Sequence, residues 1–127
     1  MRILGTAIVL TVRDPAASSK IFCTHLGFRE TVTGEDFLCL ERDDTDLEIV
    51  LLQRDPESPP PLIPAPAGVT LSLTVADIAV EHQRLLEEGA PLTEHPHRAP
   101  GGLWLLTMRD PNGVEIQLTQ WTPPSGA

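Results

Sequence analysis

The segment LEIVLLQ at residues 47–53 returns as VEIQLTQ at residues 114–120, 67 positions later. LERD at 40–43 is echoed by TMRD at 107–110 with the same displacement, and LTVRD at 10–14 by LTVAD at 73–77 with a displacement of 63. Three echoes in one order point to a duplicated unit of roughly 55 to 60 residues. Each copy must therefore be able to form the same short series of elements. A chain of 127 residues, 41% of them hydrophobic, can bury one core but is cramped for two independent ones. The copies are thus expected to be modules of a single domain spanning 1–127, the first over about 1–53 and the second over about 68–122.

Within each copy the pattern predicts strand, helix, strand, strand, strand. AIVLTV alternates poorly but is apolar and β-branched, as suits a strand buried on both faces. Asp14-Pro15 supplies an N-cap and a residue tolerated at the first helical position, and Gly27 is a natural stop. Ala17, Ile21, Phe22 and Leu26 recur at helical spacing. In the second copy Asp77 caps and Gly89 stops a helix that carries Ile78, Leu85 and Leu86 on one stripe. Strand-length segments follow at 28–33, 36–42 and 46–53, then at 91–95, 103–109 and 114–121. DPNG at 110–113 predicts a tight hairpin, because Asn-Gly accepts positive φ at low cost. Between the copies, RDPESPPPLIPAPA at 54–67 holds six of the thirteen prolines. It reads as a semi-rigid linker, since proline removes backbone donors and favours extended chain.

Charge narrows the partners. Nine Lys and Arg against eighteen Asp and Glu give a net charge of -9. Such a chain repels nucleic acid phosphates and anionic lipid and tolerates cations. No apolar run reaches the roughly 20 residues of a membrane helix, and the N-terminus lacks signal-peptide features. A cytoplasmic location is expected, with no nucleic acid or membrane partner. Cys23 and Cys39 then read as free, buried thiols.

VRDPAASSKIFCTHLGF, DFLCLERDD and LTMRDPNGVEIQLTQ together resemble the glyoxalase/bleomycin resistance/dioxygenase superfamily, the vicinal oxygen chelate proteins. The resemblance spans nearly the whole chain and looks closest to the bleomycin-resistance-type branch, whose members are small acidic homodimers that sequester a drug unaltered. It implies an α+β fold: two tandem βαβββ modules forming curled mixed sheets around a cleft, with the helices outside. Strand alternation then assigns faces. Ile8, Leu10, Val12, Leu47, Ile49 and Leu51, with Leu71, Leu73, Val75, Val114, Ile116 and Leu118, should face the helices. Ala7, Val9, Thr11, Glu48, Val50 and Leu52, with Thr70, Ser72, Thr74, Glu115, Gln117 and Thr119, should face the cleft. The repeated heptapeptide is then the cleft-forming strand that each module needs.

Metalloenzymes of the superfamily take a histidine from each opening strand and a carboxylate from each closing strand. Ala7 and Thr70 stand at the histidine positions here, and Val50 and Gln117 at the carboxylate positions. Only Gln117 offers an oxygen, so no metal and no other cofactor is expected. His95 and His97 have a ligand-like i, i+2 spacing but flank a proline away from those positions, and read as a surface pair. His25 and His82 read as core-edge residues making ordinary hydrogen bonds. No nucleophile elbow is present, and Cys39 is a weak inward candidate. Glu48 and Glu115 read as a polar lining before they read as an acid–base pair.

The displacement of 67 also pairs Phe37 with Trp104, two of only five aromatic residues. On cleft strands they could stack on a planar ligand or meet a cation, although both could instead complete the core. The candidate ligand site is therefore Phe37, Glu41, Glu48, Thr70, Ser72, Thr74, Trp104, Glu115 and Gln117. The expected function is metal-free binding, in the manner of sequestration, of a cationic or aromatic small molecule, a metabolite or antibiotic, by a homodimer. The alternatives are a lyase, isomerase or oxygenase of the same superfamily, and a protein interaction module.

Overall fold

The computed structural model describes residues 1–55, 57 and 69–121. The proline-rich segment at 54–67 lies, except for residues 54, 55 and 57, outside the described residues. Two compact units divide the chain, Met1–Ala67 and Gly68–Ala127.

In the first unit β1 (Ala7–Val12) leads into α1 (Pro15–Leu26), followed by β2 (Arg29–Thr33), β3 (Phe37–Glu41) and β4 (Glu48–Gln53). The four strands form one open sheet in the order β1-β4-β3-β2. β1 runs parallel to β4, and the other pairs are antiparallel. The helix begins where expected: the Asp14 carboxylate accepts from the Ala17 amide at 3.3 Å, and Pro15 occupies the first turn. It ends at Gly27, whose φ of 71° is left-handed, so that the Phe28 amide turns back to the Phe22 carbonyl at 3.1 Å. Arg42 locks this corner by donating to the Leu26 carbonyl while its guanidinium sits 5.9 Å from the Phe28 ring centre. Leu10, Val12, Leu40, Ile49 and Leu51 are buried with Phe22, Leu26 and Phe28. Among the described residues of this unit, no helix lies on the other sheet face.

The second unit repeats the plan. β5 (Thr70–Thr74), α2 (Ile78–Glu87), β6 (His97–Arg98), β7 (Trp104–Arg109) and β8 (Glu115–Gln120) follow in order, and the sheet order is β5-β8-β7-β6. Asp77 caps α2 by accepting from Ala79 and Val80, and Gln120 Oε1 accepts from the Ile78 amide at 2.6 Å. The last strand thereby anchors the start of the helix. Leu71, Ile78, Leu85, Leu106, Met108, Ile116 and Leu118 are buried between helix and sheet. The hairpin at Asp110–Gly113 forms as its sequence predicts: Gly113 has φ 85°, and the Asp110 carboxylate accepts from the Asn112 and Val114 amides.

One strand departs from expectation. The segment 91–95 is not a strand; it contributes only a bridge between Leu92 and Met108, and the short strand forms later, at His97–Arg98. Pro91, Pro96 and Pro100 each lack an amide hydrogen, which interrupts any longer ladder.

Candidate functional site

The strand registers sort each sheet into a helix-covered face and a free face. In the first unit Val9 lies opposite Val50, Val50 opposite Cys39, and Cys39 opposite Val32. These four residues form one row across the free face, from β1 through β4 and β3 to β2. Phe37 and Leu52 pair on one side of this row. Glu41 and Glu48 follow by alternation on the other, with Glu48 opposite Ala7. Val9 is 57% exposed, Val32 53% and Leu52 39%, so the row offers apolar surface to whatever meets it. The Cys39 thiol is pushed upward in pKa by its burial, by the charge of Glu48 and a hydrogen bond with it, and by Glu41.

The free face of the second unit has different chemistry. Ser72 lies opposite Gln117 and Gln117 opposite Thr107, while Thr74 lies opposite Thr119 and Thr119 opposite Leu105. The Thr74 and Thr119 hydroxyls are 3.1 Å apart. At the end of the ladder Glu115 accepts from the Thr70 hydroxyl at 3.2 Å and faces Arg109 at 3.5 Å. Its charge is partly answered within the same sheet. Hydroxyls and an amide dominate this surface where valines dominate the other.

Eight of the nine candidate residues, Phe37, Glu41, Glu48, Thr70, Ser72, Thr74, Glu115 and Gln117, lie on the free faces of their sheets. Trp104 does not. It pairs with Gln120, whose side chain reaches the α2 amide, so Trp104 belongs with Leu106 and Met108 on the helix-covered side. The cause is a difference in turn length. Residues 42–47 join β3 to β4, and the shorter 110–114 joins β7 to β8. With β4 and β8 matched at a displacement of 67, β3 and β7 must match at 68, and one residue of slip exchanges the faces of a strand. Phe37 therefore corresponds to Leu105, Cys39 to Thr107 and Glu41 to Arg109. Thr107 and Arg109 are site-face residues that the sequence echo concealed; the two hairpin lengths were the signal that could have located them.

The positions that the resemblance assigns to metal ligands, Ala7, Val50, Thr70 and Gln117, carry a methyl group, an isopropyl group, a hydroxyl and a carboxamide. This donor set does not fit a divalent transition metal, which needs imidazole, thiolate or carboxylate. Among the described residues no three His, Cys, Asp or Glu side chains converge as a ligand group.

The histidines also separate. The His95 ring meets the His82 ring edge to face at 5.8 Å, while His97 Nδ1 lies 3.1 Å from the His95 carbonyl. His25 is buried. His82 Nε2 is buried with no hydrogen-bond partner among the described residues, so the ordinary hydrogen bond expected of it is replaced by ring packing against His95. No described helix is long and apolar enough to cross a membrane.

Comparison with known proteins agrees with this architecture. The chain is similar to a glyoxalase/bleomycin resistance protein/dioxygenase from Nocardioides, with a TM-score of 0.75 at 20% identity, covering 100% of this chain and 87% of that one. A virulence protein from Salmonella typhimurium gives a TM-score of 0.73 at 24% identity over 96% and 98% of the two chains. A lactoylglutathione lyase from Agrobacterium tumefaciens gives 0.70 at 18% identity over 91% of each. These likenesses concern the fold. Among curated proteins no sequence match is significant. The family description of a glyoxalase-like domain matches residues 7–119, the span that runs from the first residue of β1 into β8. The chain therefore belongs to the glyoxalase-like domain family.

Proposed function

We propose that this domain binds a small molecule with an aromatic or apolar body and a cationic group, on the free faces of its sheets and without a metal at positions 7, 50, 70 and 117. The observation that carries the reading is the row of Val9, Val50, Cys39 and Val32, exposed at its ends Val9 and Val32 and flanked by Phe37 and Leu52 on one side and by Glu41 and Glu48 on the other. An apolar surface beside carboxylates matches an organic cation, gaining from desolvation of the body and from attraction of the charge. In the second unit, taken by itself, the hydroxyl and amide groups of Thr70, Ser72, Thr74, Thr107 and Gln117 would offer hydrogen bonds to a ligand on that sheet's face. The net charge of -9 would raise the local concentration of such a ligand. Binding without turnover, as sequestration by a cytoplasmic homodimer, completes the proposal; its supports are the acidic composition and the resemblance.

The test compares two ligands of one shape, phenyltrimethylammonium and tert-butylbenzene, by calorimetry at low and high salt. The cation should bind about tenfold more tightly at low salt, a difference of about 1.4 kcal/mol. The gap should close near 1 M salt, where the Debye length is about 3 Å. Equal affinities with equal salt dependence would overturn the cationic preference.

A further inference from the structure

At one end of the first sheet, the turn between β2 and β3 is tied down by two amides. Gly34 donates to the Phe37 carbonyl at 3.0 Å, and Gln53 donates to the Asp36 carbonyl at 2.7 Å. The Arg54 amide donates to the Val12 carbonyl at 2.8 Å, which holds the ends of β4 and β1 together. Between this turn and the start of α1, the described residues leave a cavity of about 470 Å³. Small-molecule pockets span roughly 300–1,000 Å³, so the space is of ligand size. Gly34 sets its shape. A Cβ there would lie 2.1 Å from Phe37 Cε1, so only a residue without a side chain lets the Phe37 ring fold back against the turn.

The charges of the lining select an occupant. Three carboxylates, on Asp14, Glu35 and Asp36, outnumber the single guanidinium of Arg13. The start of α1 gives an anion little to bind: the Asp14 carboxylate already accepts from the Ala17 amide at 3.3 Å, and Pro15 has no amide hydrogen. A metal ion is disfavoured as well, since among the described residues no three His, Cys, Asp or Glu side chains converge as a ligand group. The remaining match is an organic cation. Its apolar body has Pro15, Phe37 and Leu38 as a wall, and an aromatic ring attracts positive charge where hydrocarbon does not.

We propose that this cavity is a second ligand site, taking a small organic cation with its apolar body on Phe37, Pro15 and Leu38 and its positive group at Glu35 and Asp36. The site lies wholly within the first unit and shares only Phe37 with the flanks of the valine row. It goes beyond the binding proposed for the free faces and does not depend on it. Glu35 and Asp36 are exposed, so their attraction for a cation weakens as salt rises.

The test titrates the protein with benzamidinium and with benzamide, a cation and a neutral molecule of nearly one shape. Calorimetry reads affinity, and amide shifts in NMR locate the bound probe. At low salt benzamidinium should bind about three- to tenfold more tightly, the range expected of two exposed charge pairs. The Glu35→Gln, Asp36→Asn double variant should remove that preference, whereas Arg13→Gln should strengthen binding of the cation about twofold. Gly34 is not among the positive-φ glycines, so Gly34→Ala leaves the backbone in place, displaces the Phe37 ring and should weaken both probes. Amide shifts should cluster at Arg13, Ala16 and Gly34–Leu38. Equal affinities for the two probes, or a preference that persists in the double variant, would overturn the proposal. Shifts confined to Val9, Val32, Cys39 and Val50 would also overturn it while leaving the cationic preference of the free face standing. Shifts at the cavity with none in that row would support this site and count against the other.

Discussion

At the scale of single residues, Cys39 and Cys23 should behave differently although both are free thiols. Burial and the adjacent Glu48 and Glu41 hold Cys39 in its protonated form, whereas the thiolate is the reactive species. Iodoacetamide at pH 8 should therefore label Cys23 first in the folded protein, and Glu48→Gln should speed labelling of Cys39; peptide mass mapping over time reads both. The linkage has a definite sign. A thiol whose folded pKa is raised contributes stability that is fully present below the ordinary thiol value and is lost as pH rises through the folded value. Unfolding free energy should thus decline on the alkaline side more steeply in the native chain than in Cys39→Ala. Gly27 is a second sensitive residue, because a Cβ there would lie 2.8 Å from Arg42 Nη1 on a backbone at φ 71°. Gly27→Ala should cost about 1–2 kcal/mol, the penalty of a left-handed conformation for a residue with a side chain, as measured by denaturant unfolding. The caps Asp14 and Asp77 and the glycine stop were legible in the sequence because each depends on a local rule that distant contacts do not alter. His82 was not, because its environment is supplied by His95 in a segment without regular structure.

At the scale of elements, strand alternation within β5 and β8 could be read directly from the sequence, since each presents an apolar set every second residue, whereas β1 and β4 are apolar at both parities and β1, expected to be buried on both faces, is exposed on one. The face of β7 could not be read either. Its residues WLLTMR carry apolar groups at both parities, so hydrophobic pattern gives no phase and only the hairpin length sets it. That reasoning yields a prediction for Trp104. As a half-buried residue on the helix-covered side, it should contribute to stability, and Trp104→Ala should lower unfolding free energy by about 1.5–3 kcal/mol. Its fluorescence should respond little to ligands that quench or shift Trp121, which is 68% exposed beyond the end of β8. A second element-scale prediction concerns the tie between β8 and α2. Gln120→Ala removes a buried acceptor and leaves the Ile78 amide unpaired, a loss of about 1–3 kcal/mol, and hydrogen exchange should accelerate first in the opening turn of α2.

At the scale of the whole molecule, the duplicated architecture was legible because it is written in repeated spacing, and the family through the resemblance of its motifs, while the chemistry of the two free faces was not, because it depends on which side chains a register aligns. Metal affinity is the property that tests the site assignment most globally. Titration of the metal-stripped protein with Ni, Mn, Fe(II) and Zn should give weak binding at most, lost in the His95→Ala, His97→Ala double variant. Tight binding that survives those substitutions would place ligands elsewhere and return the domain to the metalloenzyme reading. The unequal hairpins carry a further consequence for how such a chain can change. After a duplication, equivalent mutations in two identical halves would be redundant experiments. The one-residue difference between the β3–β4 and β7–β8 turns removes that redundancy: the strand that displays phenylalanine, cysteine and glutamate in one half displays leucine, threonine and arginine in the other. A mutagenesis library aimed at new ligands would gain from this only if it randomised positions 105, 107 and 109; one built on the sequence echo, at 104, 106 and 108, would spend its diversity on the interior.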